Sequence, residues 1–154
     1  MAGADVSGAL DRTWRAPYGD GVTRIGIDAP TLLRLARSDR RPHAAHQLVA
    51  PNSVRSRAME LLLHEVRAGQ ITEHEALQVH DRMTELKVRL LGDRVSRRVA
   101  WGHARRTDAT DLTRAEHLAV AELQADVLLT SDPQMRTMAL HVVPLAEYAD
   151  LFTV

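Results

Sequence analysis

A chain of 154 residues, 45% hydrophobic and 26% charged, has the length and make-up of one domain around one core. Twenty basic residues against twenty acidic ones leave no formal net charge, which excludes a global field for nucleic acid or anionic membranes; any such affinity has to be a local patch. The absence of cysteine excludes disulfides, thiolate zinc sites and cysteine nucleophiles.

No apolar run approaches the length of a membrane span, and the N-terminus lacks the basic and apolar blocks of a signal peptide. We therefore expect a soluble cytoplasmic protein with no membrane partner. Lys87 is the only lysine, so arginine carries nearly all the positive charge.

Residues 1–21 are rich in Gly, Asp and Ala and show no sustained period, which reads as an arm, with Trp14 and Tyr18 as the side chains that would tack it to the domain at 22–154. "VTRIGID" then reads as a strand ending at Asp28. "APTLLRLARSD" follows as a helix, with Pro30 in its first turn and leucines at 32, 33 and 35. "HQLVAP" reads as a loop or one-turn approach to Pro51. "NSVRSRAMELLLHEVRAG" places apolar residues at 54, 58, 61, 62 and 66 and stops at Gly69, so it predicts a helix with a glycine after its end. "TEHEALQVHDRMTELK" opens on a capping-box pattern, Thr72 with Glu75, and turns Ala76, Leu77, Val79 and Met83 inward.

A second strand, "VRLLG", runs into Asp93, which is placed to cap the helix "DRVSRRVAWGHARR". "TRAEHLAVAELQ" gives a fourth helix and "DVLLTSD" a third strand. The tail "PQMRTMALHVVPLAEYADLF" predicts a short helix, a strand around "HVVPL" and a closing helical turn. Strands alternating with helices argue for an α/β domain with a mainly parallel sheet, whose ligands bind beyond the carboxyl ends of the strands. Three predicted strands end there at an acid: Asp28, Asp93 and Asp132. Acids gathered in that way repel one another unless a hard cation such as magnesium or manganese lies between them.

The order "IGIDAPTLLRLA", "VAPNSVRSRAMELL" and "TRAEHLAVAELQADVLLTSDPQM" resembles a PIN domain of the VapC toxin type over about residues 22–150. That resemblance implies a three-layer PIN-like fold, a mainly parallel central sheet flanked by helices. It also implies a magnesium- or manganese-dependent endoribonuclease, often held by a cognate antitoxin, with four acids around the metal. The first acid matches Asp28 and the last Asp132, with Thr130 at the threonine of the "T-x-D" signature. The second belongs six residues after Pro51, where Arg57 stands. The third belongs eighteen residues before Asp132, where Arg114 stands. Pro30 is a lesser departure, since the family often has serine or asparagine there.

The charge reversal changes the electrostatics of the expected cage. Four carboxylates about 6 Å apart at an effective dielectric near 20 repel by roughly 17 kcal/mol, which a cation must relieve, whereas two Asp with two Arg attract by about 5 kcal/mol before desolvation. The sequence therefore predicts that Arg57 and Arg114 pair with Asp28 and Asp132 and that no cofactor is needed. The alternative is a relocated cage of Asp28, Asp93, Asp111 and Asp132 that keeps magnesium or manganese and nuclease activity, although Asp93 and Asp111 also suit helix N-caps. Glu60 lies near Arg57, while Glu116 is turned away.

Arg94, Arg98, Trp101 and Arg105 share one helical face, where guanidinium groups flanking an aromatic suit phosphate contact and base stacking, or else a solvated stripe or dimer contact. The eight histidines show no metal-binding spacing and read as surface residues; nucleotide-binding and serine-hydrolase motifs are absent. The expected function is RNA or protein-partner binding with weak or no nuclease activity. The other readings are an active toxin-type endoribonuclease and a structural or regulatory homodimer.

Overall fold

Strand β1, Thr23–Ile27, is the centre of the sheet and opens the part of the chain described by the computed structural model, residues 23–153. The expected arm at 1–21 lies outside the described residues. After β1 come α1 (Ala29–Arg37), β2 (His46–Pro51), α2 (Val54–Arg67), α3 (Glu73–Glu85), β3 (Val88–Leu91), α4 (Arg94–Arg105), α5 (Thr113–Gln124), β4 (Val127–Leu129), α6 (Pro133–Ala139) and β5 (Leu145–Ala146), with a 3₁₀ turn at Tyr148–Phe152. The five strands are all parallel, in the order β3-β2-β1-β4-β5, with Ile25 in register with Leu48 on one side and Val127 on the other.

Alternation along the strands sorts the core into layers. Ile25, Ile27, Leu48, Ala50, Val127 and Leu129 face α1, α2 and α3 and pack with Leu32, Leu35, Leu62 and Met83. On the opposite face Leu128 packs with Leu118 and Ala121 of α5 and Met135 and Ala139 of α6. Helix α4 is held to α5 through Ala100, Ala115 and Ala119, small residues that allow close approach. The crossovers β1→β2→β3 run one way across the sheet and the return to β4 runs the other. Right-handed connections then require helices on opposite faces, which gives a three-layer α/β arrangement.

Local chemistry sets several boundaries as expected. Thr72 accepts from Glu75 N (3.1 Å) while Glu75 accepts from Thr72 N (3.2 Å), closing the capping box. Gly69 takes φ 72° just past the end of α2. Asp93 caps α4 by accepting from Ser96 N at 2.8 Å.

Elsewhere the structure corrects the sequence reading. "HQLVAP" is not a loop but β2, hydrogen-bonded between β1 and β3. A parallel strand covered on both faces shows a short apolar run, here Leu48, Val49 and Ala50, in place of alternation. Pro51, which has no amide to donate, stands at its last position. Leu77, expected inward, is exposed, because α3 buries only the narrow stripe of Ala76, Val79 and Met83. The strand expected around "HVVPL" shrinks to Leu145–Ala146, since His141 turns the chain at φ 64° and Val143 is used in the core.

Candidate functional site at the strand ends

β1 and β4 are neighbours whose chains leave the sheet in different directions, and a crevice opens beyond their carboxyl ends. Asp28 follows β1 directly, is buried, and caps α1. Its Oδ1 accepts from Thr31 N (3.0 Å) and Thr31 Oγ1 (2.6 Å), and its Oδ2 from Thr130 Oγ1 (2.6 Å). Thr130, just past β4, also accepts from Asp132 N at 3.1 Å. Asp132 in turn caps α6, accepting from Gln134 N at 3.0 Å on one oxygen and from Arg114 Nε at 2.5 Å on the other. Two caps linked through Thr130 thus tie two strand ends and two helices into one rim.

The cleft has a volume of about 330 Å³, and Asp28, Arg57, Asp111, Arg114, His117 and Asp132 are among its lining residues. A second cavity of about 560 Å³ lies between the Thr107–Asp111 loop and α6. Asp111 and Arg114 line both. Arg114 reaches inward to Asp132, as the sequence predicted. Arg57 does not pair with Asp28: its Nη1 donates to Glu60 Oε2 at 3.2 Å. Glu60 lies one turn along the same helix and is cheap to reach, whereas Asp28 is buried and already bonded to two threonines. Asp111 accepts from Thr113 N at 2.9 Å. That bond, followed by the Arg57 and Arg114 charges, holds its carboxyl below the usual range.

His117 and Thr31 are site residues that the sequence reading missed. His117 is 3% exposed, one turn beyond Arg114 on α5, so its assignment to the surface is corrected. Its Nδ1–H donates to Thr113 O at 2.8 Å, and its Nε2 has no partner among the described residues. Burial pushes its pKa down, against the opposing pull of the Thr113 carbonyl and Asp28, so the ring is held neutral. The available signal was a histidine in the apolar run of α5, among Ala115, Leu118 and Ala119. His103 is buried too; it donates from Nε2 to Glu122 at 2.6 Å and accepts from Arg106 at 2.7 Å on Nδ1, tying α4 to α5.

These residues do not fit the divalent ion that the resemblance implies. Both oxygens of Asp28 and both of Asp132 already accept hydrogen bonds, and two guanidinium groups share the cleft with them. Among the described residues no three His, Asp or Glu side chains are gathered closely enough to hold a metal. Asp93 caps α4 at the end of the edge strand and does not line the cleft, so the relocated cage is not assembled. Glu116 is turned away, as expected, and accepts from Ser53 Oγ at 2.9 Å.

Arg94, Arg98, Trp101 and Arg105 do lie exposed along one face of α4, with Trp101 62% exposed and none of the three arginines in an ion pair among the described residues. This stripe does not line the cleft. The chain leaving α4 enters the loop that walls the larger cavity, which in turn meets the cleft at Arg114.

No family model and no curated protein matches the chain. Among solved structures, it is similar to the crystal structure of PAE2754 from Pyrobaculum aerophilum, with a TM-score of 0.60 and 20% sequence identity over 84% of this chain and 93% of that one. That likeness establishes the fold. No helix among the described residues is long and apolar enough to cross a membrane.

Proposed function

We propose that this chain is a cytoplasmic PIN-type domain of the VapC-like lineage whose metal centre has been given up, and that it binds single-stranded RNA without cutting it. The observation that carries this reading is the Arg114–Asp132 ion pair at the strand-end crevice. It sets a guanidinium at the position where the resemblance places a third acid, against the fourth. The pair consumes one oxygen of Asp132, and the threonines consume those of Asp28, so the cleft offers cationic donors in place of an acidic cage. The exposed arginines of α4, with Trp101 between them, supply phosphate contacts and a stacking surface outside the cleft.

The test is a gel-shift and product assay on the full chain with labelled single-stranded RNA in magnesium and then manganese. A shifted complex without shortened RNA is expected, unchanged in Asp28→Asn and Asp132→Asn. Metal-dependent products that vanish in either variant would instead establish an endoribonuclease. Neither shift nor products would leave a protein-partner or homodimer role, which light scattering and a search for an antitoxin-like partner would then address.

A further inference from the structure

Beside the strand-end cleft lie two further pockets, of about 290 and 330 Å³, and Pro30 lines all three. The two pockets share Tyr148 and Arg34, which stands one turn beyond Pro30 on the same face of α1. The Arg34 guanidinium carbon lies 3.6 Å above the centre of the Tyr148 ring, and that ring is itself packed edge-to-face on Phe152 with centroids 5.3 Å apart. A ring face attracts a guanidinium through its charge and uses none of its five N–H donors. Arg34 is exposed, and among the described residues its side chain donates no hydrogen bond and joins no ion pair. It is a cation fixed in place with its donors unspent.

The other charges of these pockets are already matched. Arg136 donates to Thr130 O at 3.1 Å and to Glu147 Oε1 at 3.5 Å, and Arg37 pairs with Glu65. Arg34 and Arg136 against Glu147 leave one surplus positive charge, which suits a singly charged oxyanion, and the guanidinium fork meets such a group bidentately. A backbone phosphodiester has that charge and those oxygens, and the exposed Ser131 hydroxyl on the pocket wall is a further donor. A carboxylate carries the same charge. Pro30, however, makes the pockets continuous with the cleft, and a polymer of regularly spaced charges uses both. We propose that Arg34 holds one phosphodiester of the bound single strand beside Tyr148, so that the RNA runs from the cleft over Pro30 to this second contact. The inference rests on the RNA-binding reading and adds to it the course of the strand.

The experiment measures fluorescence anisotropy of the full chain with an unstructured single-stranded RNA over a salt series. Arg34→Ala is expected to weaken binding by about 5- to 20-fold, the loss of one hydrogen-bonded charge contact, and to flatten the slope of log K against log salt by about 0.7. Arg34→Lys, which keeps the charge and lacks the planar fork, is expected to retain the slope and lose affinity. Lys87→Ala removes the same charge from an exposed position at the amino end of β3, away from the strand carboxyl ends, and is expected to stay within about twofold of the unaltered protein. Full RNA affinity in Arg34→Ala, or an equal loss in Lys87→Ala, overturns the inference and leaves the RNA reading standing. Polyglutamate bound as tightly as RNA at equal charge, and released by Arg34→Ala, would make this a carboxylate site and overturn it as well. No RNA binding by the unaltered protein overturns the RNA reading itself, and the inference with it.

Discussion

Arg114 and Arg57 differ by where the competing oxygens lie. Arg114 has Asp132 within 2.5 Å, whereas Arg57 has Glu60 on its own helix and finds Asp28 closed off by Thr31 and Thr130. Converting both, in Arg57→Glu with Arg114→Asp, removes the cations and sets two more carboxylates beside Asp28 and Asp132. Isothermal calorimetry at millimolar magnesium is expected to show heat of binding for the folded double variant and none for the unaltered protein. Silence from the double variant would count against the alignment of these positions with the PIN acids. Asp28 and Asp132 were legible in the sequence as acids at strand ends, and Thr130 only through the resemblance to the "T-x-D" signature. The partner of Arg57 was not, since it depends on which carboxylate oxygens are already taken. The locked tautomer of His117 was hidden for the same kind of reason.

At the scale of elements, the packing of α5 on the sheet turns on Gly26. A Cβ built there would meet Ala121 Cβ at 3.0 Å and its Cα at 3.5 Å, so the helix lies nearly on the strand. Gly26→Ala must push α5 outward or strain β1. A loss of about 1–3 kcal/mol is expected, the usual range for overpacking, read as a lower urea midpoint with an unchanged slope. Because α5 carries Arg114 and His117, the same variant should also disturb the cleft. The helices were readable from periodicity and from caps such as Thr72 with Glu75. Strand β2 was not, because its neighbours on both faces erase the polar alternation that marks a half-buried strand. Leu77 shows the converse: the sequence marks it as apolar, but the narrow contact of α3 leaves it in solvent.

For the whole molecule, zero net charge means that the proposed RNA binding would depend on where the arginines stand. If Arg94, Arg98 and Arg105 each meet a phosphate, log K against log salt should fall with a slope of about −2. The slope steepens towards about −3.5 if Arg57 and Arg114 join them. Arg98→Ala should flatten it by about 0.7, measured by anisotropy between low and physiological salt. A slope near zero would dismiss the α4 stripe as a phosphate contact. The alternation of strands and helices was enough to indicate a parallel α/β sheet. It did not reveal that the stripe and the cleft face different regions, because that depends on how α4 rotates against α5 through Ala100 and Ala119.

The hydrogen bond from Thr130 to Asp28 joins residues 102 positions apart. At ordinary translation rates of about 5–20 residues per second, the second half of that bond leaves the ribosome roughly 5–20 s after the first. Until then β1 lacks its β4 neighbour and Asp28 lacks one of its threonines. The wall of the crevice between β1 and β4 is thus closed only late in synthesis, once Thr130 can reach back to Asp28.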